Sequence, residues 1–262
     1  GYHSKLDQAV VSSSNSGTAS IHDQVITKEA GLNRYLVEDW YLKRCLIDHF
    51  MPLDSTIETF STGTVRELGD FILEPYSVKV IPAGVTMSRD GHISASDRKI
   101  PVRVVKSLEW SKAADGLTVV YDLRTSEKEG IEVCFAVENN FSFQAGHAED
   151  RYILIDSIRP SQSYLDSTGS AAGARTVGMI DEWRQLGVAV SSDRDAEIWH
   201  LPIFTVSLSE GGFERVYQGT TLVHRFRLGL SSRPTVIRLS ISAGASEQVS
   251  KRMLAIGSAA VS

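Results

Sequence analysis

The 262-residue chain carries 27 Lys and Arg against 32 Asp and Glu, a net charge of −5 with the signs interspersed. No basic stripe follows a phosphate backbone, and no run approaches the ~20 apolar residues of a membrane helix, so neither nucleic acid nor membrane is expected as a partner. A hydrophobic fraction of 42% and a charged fraction of 23% are those of a globular chain, long enough to bury about three quarters of its unfolded surface without a disulfide or a metal.

The chain opens on Gly1-Tyr2 without a methionine, which reads as the scar of a removed tag on a piece of a longer polypeptide. Residues 1–20 contain the Gly- and Ser-rich run from Ser12 to Thr18 and read as a linker or flexible arm. Leu32, Tyr35, Leu36 and Trp40 recur at helical spacing, predicting a short amphipathic helix near 28–40. Arg44 to Met51 is apolar enough for a buried strand or a continuation of that helix, and periodicity does not separate the two. Cys45 and Cys134 each sit in an apolar run, so both are expected as buried free thiols in a reducing, cytoplasmic compartment.

After Pro52 the pattern turns to strands. Val78 alternates with Val80, and Val102 with Val104. Leu117, Val119, Tyr121 and Leu123 share a face, as do Ile131, Val133, Phe135 and Val137. Later, Leu222, Phe226, Leu228 and Leu230 alternate with Arg225 and Arg227, and Ile237, Leu239 and Ile241 with Arg238 and Ser240. Turn signals at Arg89–His92, Ala114–Gly116, Glu129-Gly130 and Ser231–Pro234 separate these runs. Alternation with short loops means antiparallel sheets, and strands of about 8–10 residues suit a large two-sheet sandwich. The small-residue stretch from Tyr164 to Gly178 predicts a surface excursion. The resulting division is a domain over 21–245 and a tail over 246–262 that forms a short helix.

No motif supplies a metal site or a cofactor fingerprint, so neither is expected. His147, Glu149 and Asp150 match no standard ligand spacing, and Asp193, Asp195 and Glu197 lack the glycine pivot of a calcium loop. Asp48 and His49 are neighbours, so on a strand they face opposite ways, and a structural histidine is the expectation. Trp183 and Trp199 are plates on which a sugar ring stacks, or else core residues. The densest chemistry lies between Ser207 and Gly219, where Glu210, Glu214, Arg215 and Gln218 surround Gly211-Gly212. Two carboxylates about 5–10 Å apart would suit acid–base work on a glycoside, but the turn alone sets that spacing. An ion pair of either glutamate with Arg215 or another arginine is the alternative. Trp183, Trp199, Glu210, Glu214, Arg215 and Gln218 are therefore the candidate contacts to sugar or to a neighbouring domain, and no catalytic residue is assigned.

Three segments carry a family resemblance: Ile21–Leu32 running into Asp39–Phe50, and Trp199–Val206 leading into Ser207–Gly219, with Phe135–Asn140 and Glu149–Tyr152 between them in order. Over about residues 20–245 the chain resembles the C-terminal β domain of glycoside hydrolase family 57, the α-amylase and 4-α-glucanotransferase group. The resemblance implies a galactose-mutarotase-like supersandwich. It also implies a partner, a catalytic barrel on the same polypeptide that performs retaining chemistry at α-1,4-glucosidic bonds, with α-1,4-glucan as a further contact. The expected role is a non-catalytic accessory domain, with an exposed apolar face where the barrel sits. The alternatives are a carbohydrate-binding module, or an aldose epimerase pairing Glu210 or Glu214 with His200 or His224.

Overall fold

The computed structural model describes residues 31–37, 39–95, 98–111, 116–209 and 212–259. The expected linker over 1–20, Glu210, Gly211 and most of the Ala114–Gly116 turn lie outside them. In place of a helix near 28–40, the described residues hold one 3-10 turn, Leu32–Tyr35, entered from Gly31 at φ 73°. Leu32 is buried against Phe213, with Tyr35, Leu36 and Val206 packed around them, whereas Trp40 is half exposed. The helical spacing thus reflects one short turn followed by an irregular strap.

Strand β1 (Ile47–Met51) follows, settling the ambiguity over 44–51, and is buried throughout. Helix α1 (Ile57–Ser61) is closed by a reciprocal cap, Thr56 and Thr59 each accepting the other's backbone N–H. It lays Phe60 over the outer face of the sheet. Then come β2 (Ser77–Ile81), β3 (Gly84–Ala95), β4 (Arg98–Trp110), β5 (Gly116–Thr125), β6 (Ile131–Phe141) and β7 (Arg151–Ile155). The last strands are β8 (Gly169–Asp181), β9 (Leu186–Ser209), β10 (Gly212–Leu230) and β11 (Thr235–Ala245), and helix α2 (Ser246–Ala259) ends the described chain.

Every ladder is antiparallel, and the strand order is β1-β6-β10-β9-β11-β5-β4-β3-β2, with β8 pairing β9 and β7. This path is folded on itself. Tyr121 of β5 meets Phe135 of β6 edge-on at 5.3 Å, although three strands separate them in the order. The main core lies between the two layers, with Val102, Val104, Val119, Tyr121, Leu123, Ile237 and Leu239 on one side and Val133, Phe135, Val137, Leu222 and Phe226 on the other. The strands predicted from alternation at 117–123, 131–137, 222–230 and 237–241 are those that enclose it.

The pivot is β9, 24 residues long, which would span roughly 80 Å if straight. Its first part, Leu186–Ser192, pairs with β11, and its second, Glu197–Ser209, pairs with β10. The switch falls at Asp193–Ala196. Asp193 accepts the Arg238 backbone N–H at 3.0 Å and Asp195 accepts from Arg175 at 2.6 Å. Glu197 holds Arg225 and the Trp199 indole. These three acids serve the division of the sheet.

Several local expectations are corrected. Arg89–His92 is not a turn but the middle of β3. Gly91 is there for close approach, since a Cβ would meet Asp70 Oδ1 at 2.3 Å and the Phe71 ring at 2.8 Å. Residues 169–178 form β8 rather than an excursion, their small side chains leaving room for His200 and Met253 from neighbouring elements. Cys45 is exposed; Cys134 is buried as expected. Strand lengths also exceed 8–10 residues in most cases.

One face of the second layer stays bare at its edge. The cross-strand row Leu239–Val119–Leu108–Val85–Val80 starts inside the core and ends at Val80, 79% exposed. Trp110, 68% exposed, sits in register with Leu117, and Val78 on the edge strand is 60% exposed. The apolar alternation of β2 therefore looks outward from a core that does not reach it.

Candidate functional site

Asp48 and His49 do face opposite ways on β1, and each anchors a buried polar cluster. On the inner face, Asp48 crosses the core to accept from Lys106 at 2.8 Å, Tyr76 at 2.6 Å and Tyr121 at 2.9 Å. On the outer face, His49 bridges two carboxylates, Nδ1 to Glu67 at 3.0 Å and Nε2 to Glu138 at 2.9 Å. Glu138 is fully buried and also accepts from Tyr41 at 2.6 Å, Lys43 at 3.1 Å and Asn140 at 2.7 Å. Burial acts to lower the His49 pKa, but the hydrogen bonds and charges of Glu138 and Glu67 outweigh it and raise it to about 9. Burial alone would raise Glu138; the bond and charge of His49, the Lys43 charge and the Tyr41 bond win and hold it near the bottom of the carboxylate range, at about 2. An imidazolium donating from both nitrogens to two carboxylates is the state that fits both shifts.

This outer cluster backs onto a cavity of about 430 Å³ between the strap 34–43, the end of α1 and the β9–β10 ladder. Lys43 lines it on one side. On the other, Arg215 lies 4.4 Å over the Phe204 ring and 5.0 Å over Tyr35, and donates to the Tyr35 hydroxyl at 2.8 Å. Tyr35 and Phe204 meet edge-on at 5.2 Å. Asp39, Asp166 and Thr168 add acceptors to the walls. Aromatic edges, two kinds of cation and carboxylates around one hollow can bind a polyhydroxylated ring by stacking and hydrogen bonding.

Of the sequence candidates among the described residues, only Arg215 lines this cavity. Glu214 precedes it on β10, and Gln218 sits at the bulge where the β9–β10 register shifts, donating to Thr205 at 3.1 Å. Trp183 is 77% exposed in the β8–β9 turn, elsewhere on the surface. Trp199 is 1% exposed, packed against Phe60 with Arg225 4.0 Å over its ring, so it is a core residue and offers no face to sugar or to a neighbouring domain. Its position on β9 opposite Val223 puts it under α1, which periodicity alone did not disclose. Glu210 lies outside the described residues. His200 and His224 are both buried, and burial lowers each to about 4. His200 meets Ser167 and the Gln162 backbone, and His224 meets the Arg175 carbonyl, none of them a carboxylate. Sequence reasoning missed Tyr35, Phe204, Lys43, Glu67 and Glu138; only the apolar run around Glu138, a charge between Val137 and Asn139, signalled a buried carboxylate.

A family model described as alpha-amylase/4-alpha-glucanotransferase, C-terminal, matches residues 1–237. A 4-alpha-glucanotransferase of Thermococcus litoralis is 29% identical over 213 residues, covering 81% of this chain and 29% of the relative. An alpha-amylase of Dictyoglomus thermophilum is 29% identical over 244 residues, covering 87% of this chain and 32% of the relative. The crystal structure of the Thermococcus litoralis 4-alpha-glucanotransferase superposes with a TM-score of 0.66 at 25% identity, over 86% of this chain and 31% of that one. A putative aldose 1-epimerase of Escherichia coli K12 superposes with a TM-score of 0.51 at 10% identity, over 78% of this chain and 81% of that one, which makes the fold galactose-mutarotase-like. The chain thus spans 29% to 32% of the length of these curated relatives.

Proposed function

The chain belongs to the C-terminal domain family of the α-amylases and 4-α-glucanotransferases of glycoside hydrolase family 57, and from that premise we propose that it is a non-catalytic accessory domain of an α-glucan-processing enzyme. Retaining cleavage or transfer at α-1,4-glucosidic bonds then belongs to a catalytic barrel elsewhere on the polypeptide. The observation that carries this reading is the asymmetry of coverage, in which a match over most of this chain accounts for under a third of each relative. The bare apolar face at Val78, Val80 and Trp110 supports it, because an isolated domain gains nothing from exposing such a surface and a packed one buries it. The barrel packs there. Glucan is contacted at the cavity formed by Tyr35, Arg215 and Phe204.

The purified chain, incubated with maltooligosaccharides, should neither release glucose nor redistribute chain lengths. Detectable hydrolysis or disproportionation by a preparation free of other enzymes sinks the accessory reading. The glucan contact is tested by affinity electrophoresis through starch. Retardation that Arg215→Ala removes supports it, and an unretarded parent chain ends it.

A further inference from the structure

A second cavity, of about 340 Å³, opens on the opposite side of the β8–β9 ladder, with the buried His200 in its wall. Ser161 and Gln162 contribute polar groups, and Ile155, Ile158 and Pro160 contribute apolar ones. Among the described residues, no lining side chain other than that histidine is ionisable, and burial keeps its ring neutral, the Gln162 backbone hydrogen bond opposing the effect only in part. His200 Nε2 approaches Ser167 Oγ at 3.4 Å and the Gln162 backbone is a further hydrogen-bonding neighbour of the ring, while Nδ1 makes no hydrogen bond of standard geometry. A buried polar atom without a partner is uncommon in a native fold and calls for a specific reason.

The surroundings of the ring are built to keep it in place. Gly169 pairs with His200 across the ladder, and a Cβ there would lie 2.4 Å from His200 Cε1. At the cavity mouth, Ile155 and Ile158 exchange both backbone hydrogen bonds, at 2.9 and 2.8 Å, around a two-residue turn. Asp156 and Ser157 occupy that turn at φ 46° and 67°, where Asn-Gly is the easy choice. Asp156 holds it by accepting the Arg175 and Thr176 backbone N–H groups at 3.0 and 2.8 Å. The turn leaves Ile158 71% exposed at the rim. Left-handed non-glycine residues of this kind gather at ligand sites.

We propose that this cavity is a binding site for a single neutral pyranose ring, with His200 Nδ1 hydrogen-bonding a ring hydroxyl. The absence of charge from the walls selects a neutral ligand. The alternation of Ser, Gln and His with Ile and Pro matches a molecule with hydroxyl edges and C–H faces. The volume, near the lower end of small-molecule sites, fits one ring rather than a chain. The site shares no residue with the Tyr35–Arg215 cavity.

The test is nuclear magnetic resonance of the His200 Cε1–Hε1 group, assigned by its disappearance in His200→Asn. Glucose and maltose should displace the signal saturably with roughly millimolar affinity, while glucuronate at the same concentration should not. Stronger binding of maltose than glucose would assign the site to glucan ends, and equal binding to free sugar. Gln162→Trp, at an exposed position in the cavity wall outside the strands, should abolish the response. Absence of a saturable shift with either sugar, an equal response to glucuronate, or a response surviving in Gln162→Trp overturns the proposal. The starch retardation of Arg215→Ala is a separate measurement, so failure of one reading leaves the other standing.

Discussion

The two faces of β1 carry two answers to the same problem, a charged side chain that the fold buries. Asp48 and His49 are adjacent and both almost wholly inaccessible. Asp48 is sealed between the layers, and its three donors come from the opposite layer or from the segment leading into β2. His49 sits on the outer face, where its partners Glu67 and Glu138 connect through Lys43 to the walls of the larger cavity. One cluster joins the two layers across the core. The other holds a strap and a cavity wall in place. Buried ion pairs are weak evidence of net stabilisation, yet breaking one by deleting a partner is costly because the survivor stays buried.

The largest effect expected from that contrast is at Asp48→Ala, which strands Lys106 and two tyrosine hydroxyls at once. A loss of about 3–5 kcal/mol in urea unfolding is expected. Glu138→Gln keeps the shape and leaves His49 paired with Glu67, so about 2–3 kcal/mol is expected. If Glu138→Gln proves the more damaging, the inner cluster is not the one that ties the layers together.

The outer cluster should also write a pH signature. Glu138 is depressed in the folded state, so its contribution is present above the ordinary 4.5 and is lost as pH falls through about 2. His49 is raised, so its contribution is complete below the ordinary 6.5 and is lost as pH rises through about 9. The neutral His200 and His224, depressed from 6.5 to about 4, add a loss as pH falls across that interval. The denaturant midpoint should therefore decline from pH 6.5 to 9, and Glu138→Gln should flatten that alkaline decline. An unchanged slope in the variant would detach His49 from Glu138.

At the scale of the fold, alternation was enough. Val119, Tyr121 and Leu123, and Val133, Phe135 and Val137, bury the faces their spacing assigns. The opposed directions of Asp48 and His49 were equally readable, because strand geometry is local. Their partners were not, since Lys106 and Glu138 lie 58 and 89 residues away and reach β1 only through strand order and register. The same limit explains Trp199 and Gly91: whether a ring is covered, or a glycine turns the chain, depends on what crosses it from elsewhere. Arg215 was found because its run is chemically dense, whereas its companions Tyr35 and Phe204 are scattered along the chain.

The smallest effect closes the comparison. Lys43→Met should cost less, about 1 kcal/mol, because Glu138 stays buried but keeps His49, Tyr41 and Asn140 as donors. Weaker retention on starch would nonetheless mark Lys43 as part of the cavity wall in function as well as in position. A stability loss as large as that of Asp48→Ala would make the two faces of β1 alike.

The shared strand β9 has a kinetic consequence. Because a single run of backbone completes the ladders of both layers, neither layer is finished until the other's half of that strand is in place. Its ladders with β8 and β10 are hairpins between sequence neighbours, but β11 returns to the first half of β9 only after β10 has been made, so docking of β11 is a late, longer-range closure of the kind that slows folding. Refolding should consequently proceed as one slow phase seen alike by probes in either layer, and backbone amides on both sides of Asp193–Ala196 should exchange with the same protection.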